Sequence, residues 1–309
     1  MAGLLLQALL YAPGPFFCFP WKPLVNHLWG DAYKKAYSHF RRDHNTPANL
    51  ALHFICLVFQ VTTNFALLHH LDGMLASHLA PLEAVPLLSA STAVVWTGYL
   101  LLASSPAPLI PRLLATFAVV GSFLSAPHLP HPLTVELAVM VMFAGVLVLA
   151  VRSAAAILFA SAFLAWAIIS FFGLPAAATL IPHPLAPHAV LVSTAVALVV
   201  AAALTRRVPQ APVTLGALAT RACFVLSACR LPGLLLWGAA FVAPLMQGAA
   251  HHCTGEQATL VALNQGAGRG AATKIRYEWA HVTFFPVLAL HSVYESLCGP
   301  PARRRTKGQ

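Results

Sequence analysis

Fifteen histidines and only eight acidic residues stand in a chain of 309. The histidines suited to hold a metal fall into three groups. The first lies in the run DHNTPANLALHF. Here Thr46 or Asn45 caps a helix, Pro47 fits its first turn, and His44 sits just before it. His53 lies about two turns into that helix, roughly 9 Å along its axis at 1.5 Å per residue. Asn49, four residues before His53, shares its face. The second group is AHHCTGEQATL, where His252 and Glu256 are four apart, so a helical turn aligns them, while His251 is expected to point elsewhere. The third is RYEWAHVTFFPVLALHSVYE, with Glu278 and His281 three apart and His291 and Glu295 four apart. In each pair the carboxylate can orient the imidazole of a metal ligand. Several histidines with a few carboxylates suit iron, zinc or copper, and non-haem iron often takes two histidines and one carboxylate. Any one of these histidines alone reads as an interfacial polar residue; the three groups together favour a metal.

The elements that must carry these groups are set by composition. The chain is 59% hydrophobic and 8% charged, whereas a soluble domain has about 25% charged residues to face water. Its apolar residues must face lipid as well as one another. Blocks 50–71, 86–104, 107–125, 133–151, 153–173 and 187–205 approach or reach the ~20 residues that a membrane helix needs. Helices are expected because lipid offers no partner to an open backbone, and the blocks lack the alternation of barrel strands. The expected fold class is an all-α, polytopic transmembrane helix bundle of about seven to nine membrane segments, forming one integral membrane domain over residues 1–309. Within it, 1–49 is a cytosolic or interfacial segment, 50–249 the transmembrane bundle, and 250–309 a cytosolic or interfacial segment that carries histidines.

Basic residues appear at every second connection: Lys22, Lys34, Lys35, Arg41 and Arg42, then Arg112, Arg152, and Arg206 with Arg207. That alternation places the N-terminus in the cytosol. Block 213–249 is broken by Arg230, Leu231, Pro232 and Gly233, which reads as the turn of a hairpin. A hairpin returns Arg269, Lys274, Arg276 and the basic tail to the cytosolic side, so both termini are cytosolic and all three histidine groups share one face. The stretch 279–297 is expected at the interface or dipping partly in. The N-terminal run MAGLLLQALLYAPGPFFCF reads as an interfacial segment.

The net charge of +10 is dispersed through short loops and the tail, which suits a positive cytosolic rim and not a nucleic-acid surface. The six cysteines include no C-x-x-C pair and read as buried hydrophobes. No nucleophile elbow, phosphate loop or dinucleotide fingerprint is present. His69, His70, His78, His128, His131, His183 and His188 fall at the opposite end of the bundle and read as loop or helix-end residues.

The run DAYKKAYSHFRRDHNTPANLALHF resembles the opening of the 2-hydroxy fatty acid dioxygenase family, the small membrane proteins related to the fungal endoplasmic-reticulum enzyme and its bacterial relatives. Tyr33, Tyr37, His44, Asn49 and His53 fall where that pattern has them, and His252 with Glu256 is similar to its later motif. Gln257 replaces the proline of that motif, and about 200 residues separate the two motifs, so a long extra membrane segment lies between them. The resemblance implies an endoplasmic-reticulum iron(II) dioxygenase that shortens a 2-hydroxy fatty acid by one carbon with molecular oxygen. It implies His44, His53 and His252 as iron ligands. His281 is the candidate fourth ligand from the residues alone. Glu256 and Glu278 are the candidate catalytic carboxylates, Glu256 orienting His252 or lying outside the ligands. Asn49, Lys274 and Arg276 are the candidate substrate-binding residues, a basic side chain pairing with the acyl carboxylate.

Two other classes stand beside the enzyme: a transporter or channel, for which Glu136 and Arg230 are the residues to watch, and a non-catalytic membrane scaffold. A coupled transporter keeps polar groups near the bilayer midplane, and metal content separates the enzyme from both. Oligomeric state is not legible, because lipid-facing and partner-facing surfaces have the same composition.

Overall fold

The computed structural model describes residues 21–78, 86–129, 132–168, 243, 246–256 and 271–298. The described residues are helical apart from short turns. In chain order the helices are α1 (Trp21–Trp29), α2 (Tyr33–Asp43), α3 (Pro47–His78), α4 (Leu87–Ala103), α5 (Leu109–Ser125), α6 (Pro132–Val146), α7 (Ala154–Ile168) and α8 (Ala271–Cys298). A helical segment, 246–254, lies between α7 and α8. The expectations for residues 1–20, for 187–205, for the hairpin at 213–249 and for the basic tail fall outside the described residues.

Among the described residues, three helices are long and apolar enough to cross a membrane: Pro47–Ala76, Leu109–His128 and Thr134–Val151. Helices α4 and α7 are shorter and also apolar. Among the described residues their burial differs widely. In α3 72% of the apolar window is buried, against 28% for the span built on α5. Helix α5 instead displays Leu109, Ile110, Leu113, Leu114, Phe117 and Leu124 outward. Such a row would be a large apolar patch in water.

Helix ends follow from local chemistry. Pro47 opens α3, and Thr46 Oγ1 accepts the Asn49 N–H at 3.3 Å, as a threonine cap should. The N-terminus of α4 has no cap of its own and borrows Asp72 from α3. That carboxylate accepts the N–H groups of Leu88 (2.7 Å) and Ser89 (2.9 Å) and the Ser89 hydroxyl (2.6 Å). Arg112 Nη1 donates to the Leu101 carbonyl at 2.9 Å, covering the end of α4. Helix α6 runs on into a wider turn, Leu147–Val151, and stops at Arg152 in the left-handed region (φ 51°), a conformation usually left to glycine.

Helix α3 is the axis of the fold. One flank, with Leu50, Leu57, Val61, Phe65 and Leu68, packs into a core shared with α2, α4, α5 and α8. The other, with Leu52, Cys56 and Phe59, packs into a second core shared with α6, α7 and segment 246–254. The seam between the flanks is polar: Asn49, His53, Gln60 and Asn64 recur at helical spacing and are all buried. Helix α8, whose residues 279–297 were expected at the interface or dipping partly in, buries one face in the core. Tyr277, Ala280, Phe284, Phe285, Val287 and Leu288 are buried, and Trp96 of α4 donates its indole N–H to the Thr283 carbonyl at 3.0 Å.

Candidate metal centre

His44 and His53 enter the site from opposite sides of the turn between α2 and α3. His44 follows the last residue of α2, and its ring stacks on Phe40 (centroids 3.9 Å, 8° between planes). Its Nδ1–H donates to the Phe40 carbonyl at 2.8 Å. His53, in the second turn of α3, donates Nδ1–H to the Asn49 carbonyl at 2.9 Å. Both bonds run back four residues to a helical carbonyl. Each therefore fixes the proton on Nδ1 and leaves the Nε2 lone pair for a ligand, as oriented metal histidines do. His44 Nε2 is buried with no hydrogen-bond partner among the described residues. A buried polar atom left so costs about 1–3 kcal/mol unless something binds it.

The third histidine is His251. Ring centroids are 4.4 Å apart for His44 and His53, 4.7 Å for His44 and His251, and 4.8 Å for His53 and His251. The planes cross at 88°, 67° and 74°, so the three rings face a common point and do not stack. One nitrogen from each lies within 4.8 Å of the others. Nitrogens about 2.1 Å from a tetrahedral ion are about 3.4 Å apart, so binding would draw the rings in by no more than about 1.4 Å. Burial, and then the neighbouring imidazoles, push His44 well below the ordinary histidine range. Burial brings His251 down to about 4, with the Asp43 charge opposing. Both rings are thus neutral near pH 7, the form that binds metal.

His252, the expected ligand, is exposed, with its ring 5.5 Å from Phe159. The pairing of His252 with Glu256 assumed one continuous helix. The helix ends first: Gly255 takes φ 70°, its N–H donates to the His252 carbonyl (3.4 Å), and the Glu256 N–H donates to the His251 carbonyl (3.1 Å). This glycine stop turns Glu256 off the helix. Its Oε1 accepts the N–H groups of Asn45 (2.9 Å) and Thr46 (2.5 Å), and its Oε2 accepts from Asn49 Nδ2. Glu256 therefore anchors the start of α3 and touches no histidine ring. Asn49, expected to bind substrate, bridges it to the site: its Nδ2 also lies 3.4 Å from His251 Nδ1.

His281 sits next to the group but outside it. Its centroid is 6.3 Å from that of His44, and its Nδ1 is 3.2 Å from the Tyr277 hydroxyl. Arg276 is exposed. The side chains of Glu278 and Lys274 lie outside the described residues. His291 and Glu295 do pair, Nε2 to Oε1, at 3.4 Å. At the far end of the bundle, His69 Nε2 donates to the Phe123 carbonyl at 3.0 Å and its ring stacks on Phe123.

Two residues here are not marked by spacing alone. His251 has no carboxylate one helical turn away, unlike its neighbour His252. Asp43 is a buried carboxylate held by Arg42 through bonds of 2.7 and 3.0 Å, beside His44 in sequence and felt by His251. Its position directly before His44, behind two arginines, was the available signal. Compared with protein-family models, with curated proteins and with solved structures, the chain matches none.

Proposed function

We propose that this chain is a membrane-embedded, iron(II)-dependent dioxygenase that shortens 2-hydroxy fatty acids by one carbon, built as a bundle of seven to nine membrane segments with both termini cytosolic, in the endoplasmic reticulum. The observation that carries the reading is the buried group His44, His53 and His251, placed where α3 enters its apolar span. Three neutral imidazoles leave positions open on an ion, as oxygen-activating iron sites do. Iron, when bound there, would supply dioxygen activation and a seat for the 2-hydroxy acid. The overall reaction balances as one 2-hydroxy acid and one dioxygen in, and the acid shorter by one carbon, one carbon dioxide and one water out.

The protein's own residues do the rest. Phe40 and the two helical carbonyls hold the rings of His44 and His53 in one orientation. Glu256 and Asn49 tie segment 246–254 to the start of α3 and so hold His251 against the other two. Phe285, whose ring lies 6.3 Å from that of His53, keeps the site dry on the α8 side. Next to Phe285, Pro286 lines a groove of about 250 Å³ between α3 and α5, with Leu57, Val61, Ala118 and Val119. An acyl chain fits such a lining, and the groove lies within the apolar spans.

The test is elemental analysis of detergent-purified protein, wild type against His44→Ala and His251→Ala, followed by mass spectrometry of 2-hydroxy fatty acid turnover under dioxygen. Near-stoichiometric iron that both variants lose, with release of the chain-shortened acid, supports the proposal. No transition metal after anaerobic iron loading removes it. A second reading, transport, draws on Gln60, Asn64 and Glu136, all buried within the spans, because polar groups at membrane depth default to function. A metal-free protein that moves a solute in vesicles would favour it.

A further inference from the structure

A second chain of polar groups stands on the same side of the bundle and takes no part in the histidine group. The Tyr33 hydroxyl lies 2.9 Å from His291 Nδ1. On the far side of that ring, His291 Nε2 lies 3.4 Å from Glu295 Oε1, and Glu295 Oε2 lies 3.7 Å from Arg41 Nε. Tyr37 stacks on the His291 ring at 4.0 Å and 13°. The imidazole is thus placed between a phenol and a carboxylate, the order in which a base is oriented by an acid behind it.

The phenol itself is 2% exposed, with the Phe284 ring against it at 5.3 Å. Burial, with Tyr37 and the Glu295 charge, pushes it far up from the usual tyrosine range. It does not serve as an acid by losing a proton alone, because that leaves an unpaired charge in an apolar site. Losing an electron alone leaves a buried cation, at the same kind of cost. Losing both leaves a neutral ring, and a base in contact is what allows both to leave together.

We propose that Tyr33 is a redox-active tyrosine whose phenolic proton passes to His291 as its ring gives up one electron. The Tyr33 O–H bond breaks and a His291 Nδ1–H bond forms. The proton on His291 Nε2 passes to Glu295, whose side chain is 42% exposed and opens to solvent beside Arg41. The electron goes to a one-electron oxidant derived from dioxygen at the histidine group, so in the cell the inference rests on the function proposed above. A route lies along one face of α2. Tyr33, Tyr37, Phe40 and His44 recur at helical spacing, with Tyr33 on Tyr37 at 6.0 Å and Phe40 on His44 at 3.9 Å. Such a device drains oxidising equivalents that no substrate consumes.

The experiment supplies its own oxidant, so it does not depend on the metal. Purified full-length protein is oxidised by a photogenerated ruthenium(III) complex and frozen, and the radical is read by electron paramagnetic resonance. The chain has six tyrosines, so the signal is assigned by substitution. The tyrosyl signal should fall by more than half in Tyr33→Phe and persist in Tyr99→Phe, whose hydroxyl accepts from Asn26 Nδ2 at 2.7 Å. In protein with ¹⁵N-histidine, the radical should show coupling to an exchangeable proton borne by a histidine nitrogen, and that coupling should remain in Tyr277→Phe, whose hydroxyl lies 3.2 Å from His281 Nδ1. This second readout does not need Tyr33→Phe to fold. An undiminished signal in Tyr33→Phe, or a wild-type radical without the histidine coupling, overturns the assignment. Absence of iron with the coupling present would sink the dioxygenase and leave Tyr33 standing.

Discussion

Exchanging the roles of two adjacent histidines is the sharpest test of the site. His251→Ala removes one of the three rings whose nitrogens lie within 4.8 Å, whereas His252→Ala removes an exposed ring on the other side of the same helix. Structural zinc held by four ligands is worth about 10–16 kcal/mol, or about 2.5–4 kcal/mol per ligand. At 1.4 kcal/mol per decade, losing one histidine should weaken metal binding by about two to three orders of magnitude. His252→Ala should stay within about twofold of wild type, since it breaks no bond in the site. Competition against a chromogenic chelator measures both affinities, and a melting curve of the metal-free variants shows that each is folded. If His252→Ala loses the metal and His251→Ala keeps it, the helix end at Gly255 and the site built on it are wrong.

Glu256→Ala should cost about 2–4 kcal/mol of stability, because it strands the N–H groups of Asn45 and Thr46 and the Asn49 amide. The same change should weaken metal binding by about 10–100-fold through Asn49, read by thermal melts and chelator competition. Metal-free protein should lose stability as pH falls from about 6.5 to about 4, by about 1.4 kcal/mol per pH unit for each such histidine. The sign follows because His251 is held down to about 4 by burial. The unfolded chain therefore binds a proton that the folded chain refuses. His251→Ala should flatten the slope, and an unchanged slope would show that the ring is not buried neutral. Gln60 and Asn64 have amide atoms with no partner among the described residues. Gln60→Met with Asn64→Leu should therefore raise the melting temperature, and a fall would mean that a bound group satisfies them.

The fold was legible where long apolar blocks set it. Apolar blocks 50–71, 86–104, 107–125 and 133–151, with the described part of 153–173, fall on α3 to α7, because a helix satisfies its own backbone wherever it is buried. Thr46 and Pro47 marked the start of α3 for reasons local to four residues. His44 and His53 were found for the same reason: one turn joins them, and helical spacing fixes their separation. The rest is non-local. Residues 279–297 were expected at the interface or dipping partly in because His281, His291 and Glu295 interrupt the apolar run; His281 and His291 meet Tyr277 and Tyr33 in the bundle, while Glu295 meets Arg41 at its exposed edge. The choice of His252 over His251 applied helical spacing across a glycine that ends the helix.

The position of the site on α3 follows from how that helix is buried. A helix packed on one side has one apolar stripe and a solvent face, but α3 packs on both flanks, into two separate cores. Between two apolar stripes lies a narrow strip that faces inward and touches neither core fully. Apolar residues there would merge the cores, whereas Asn49, His53, Gln60 and Asn64 keep them apart. Polar groups on such a buried strip call for partners. The first two have them: Asn49 binds Glu256, and His53 turns to Asn49 and to the other two histidines. Segment 246–254 brings His251 to this strip because it packs in the second core, while His44 arrives from α2, in the first. The three histidines therefore meet where the two cores and the seam come together. A change that slides one core against the other, such as Phe59→Ala or Phe40→Ala, should weaken metal binding although neither residue offers a ligand atom.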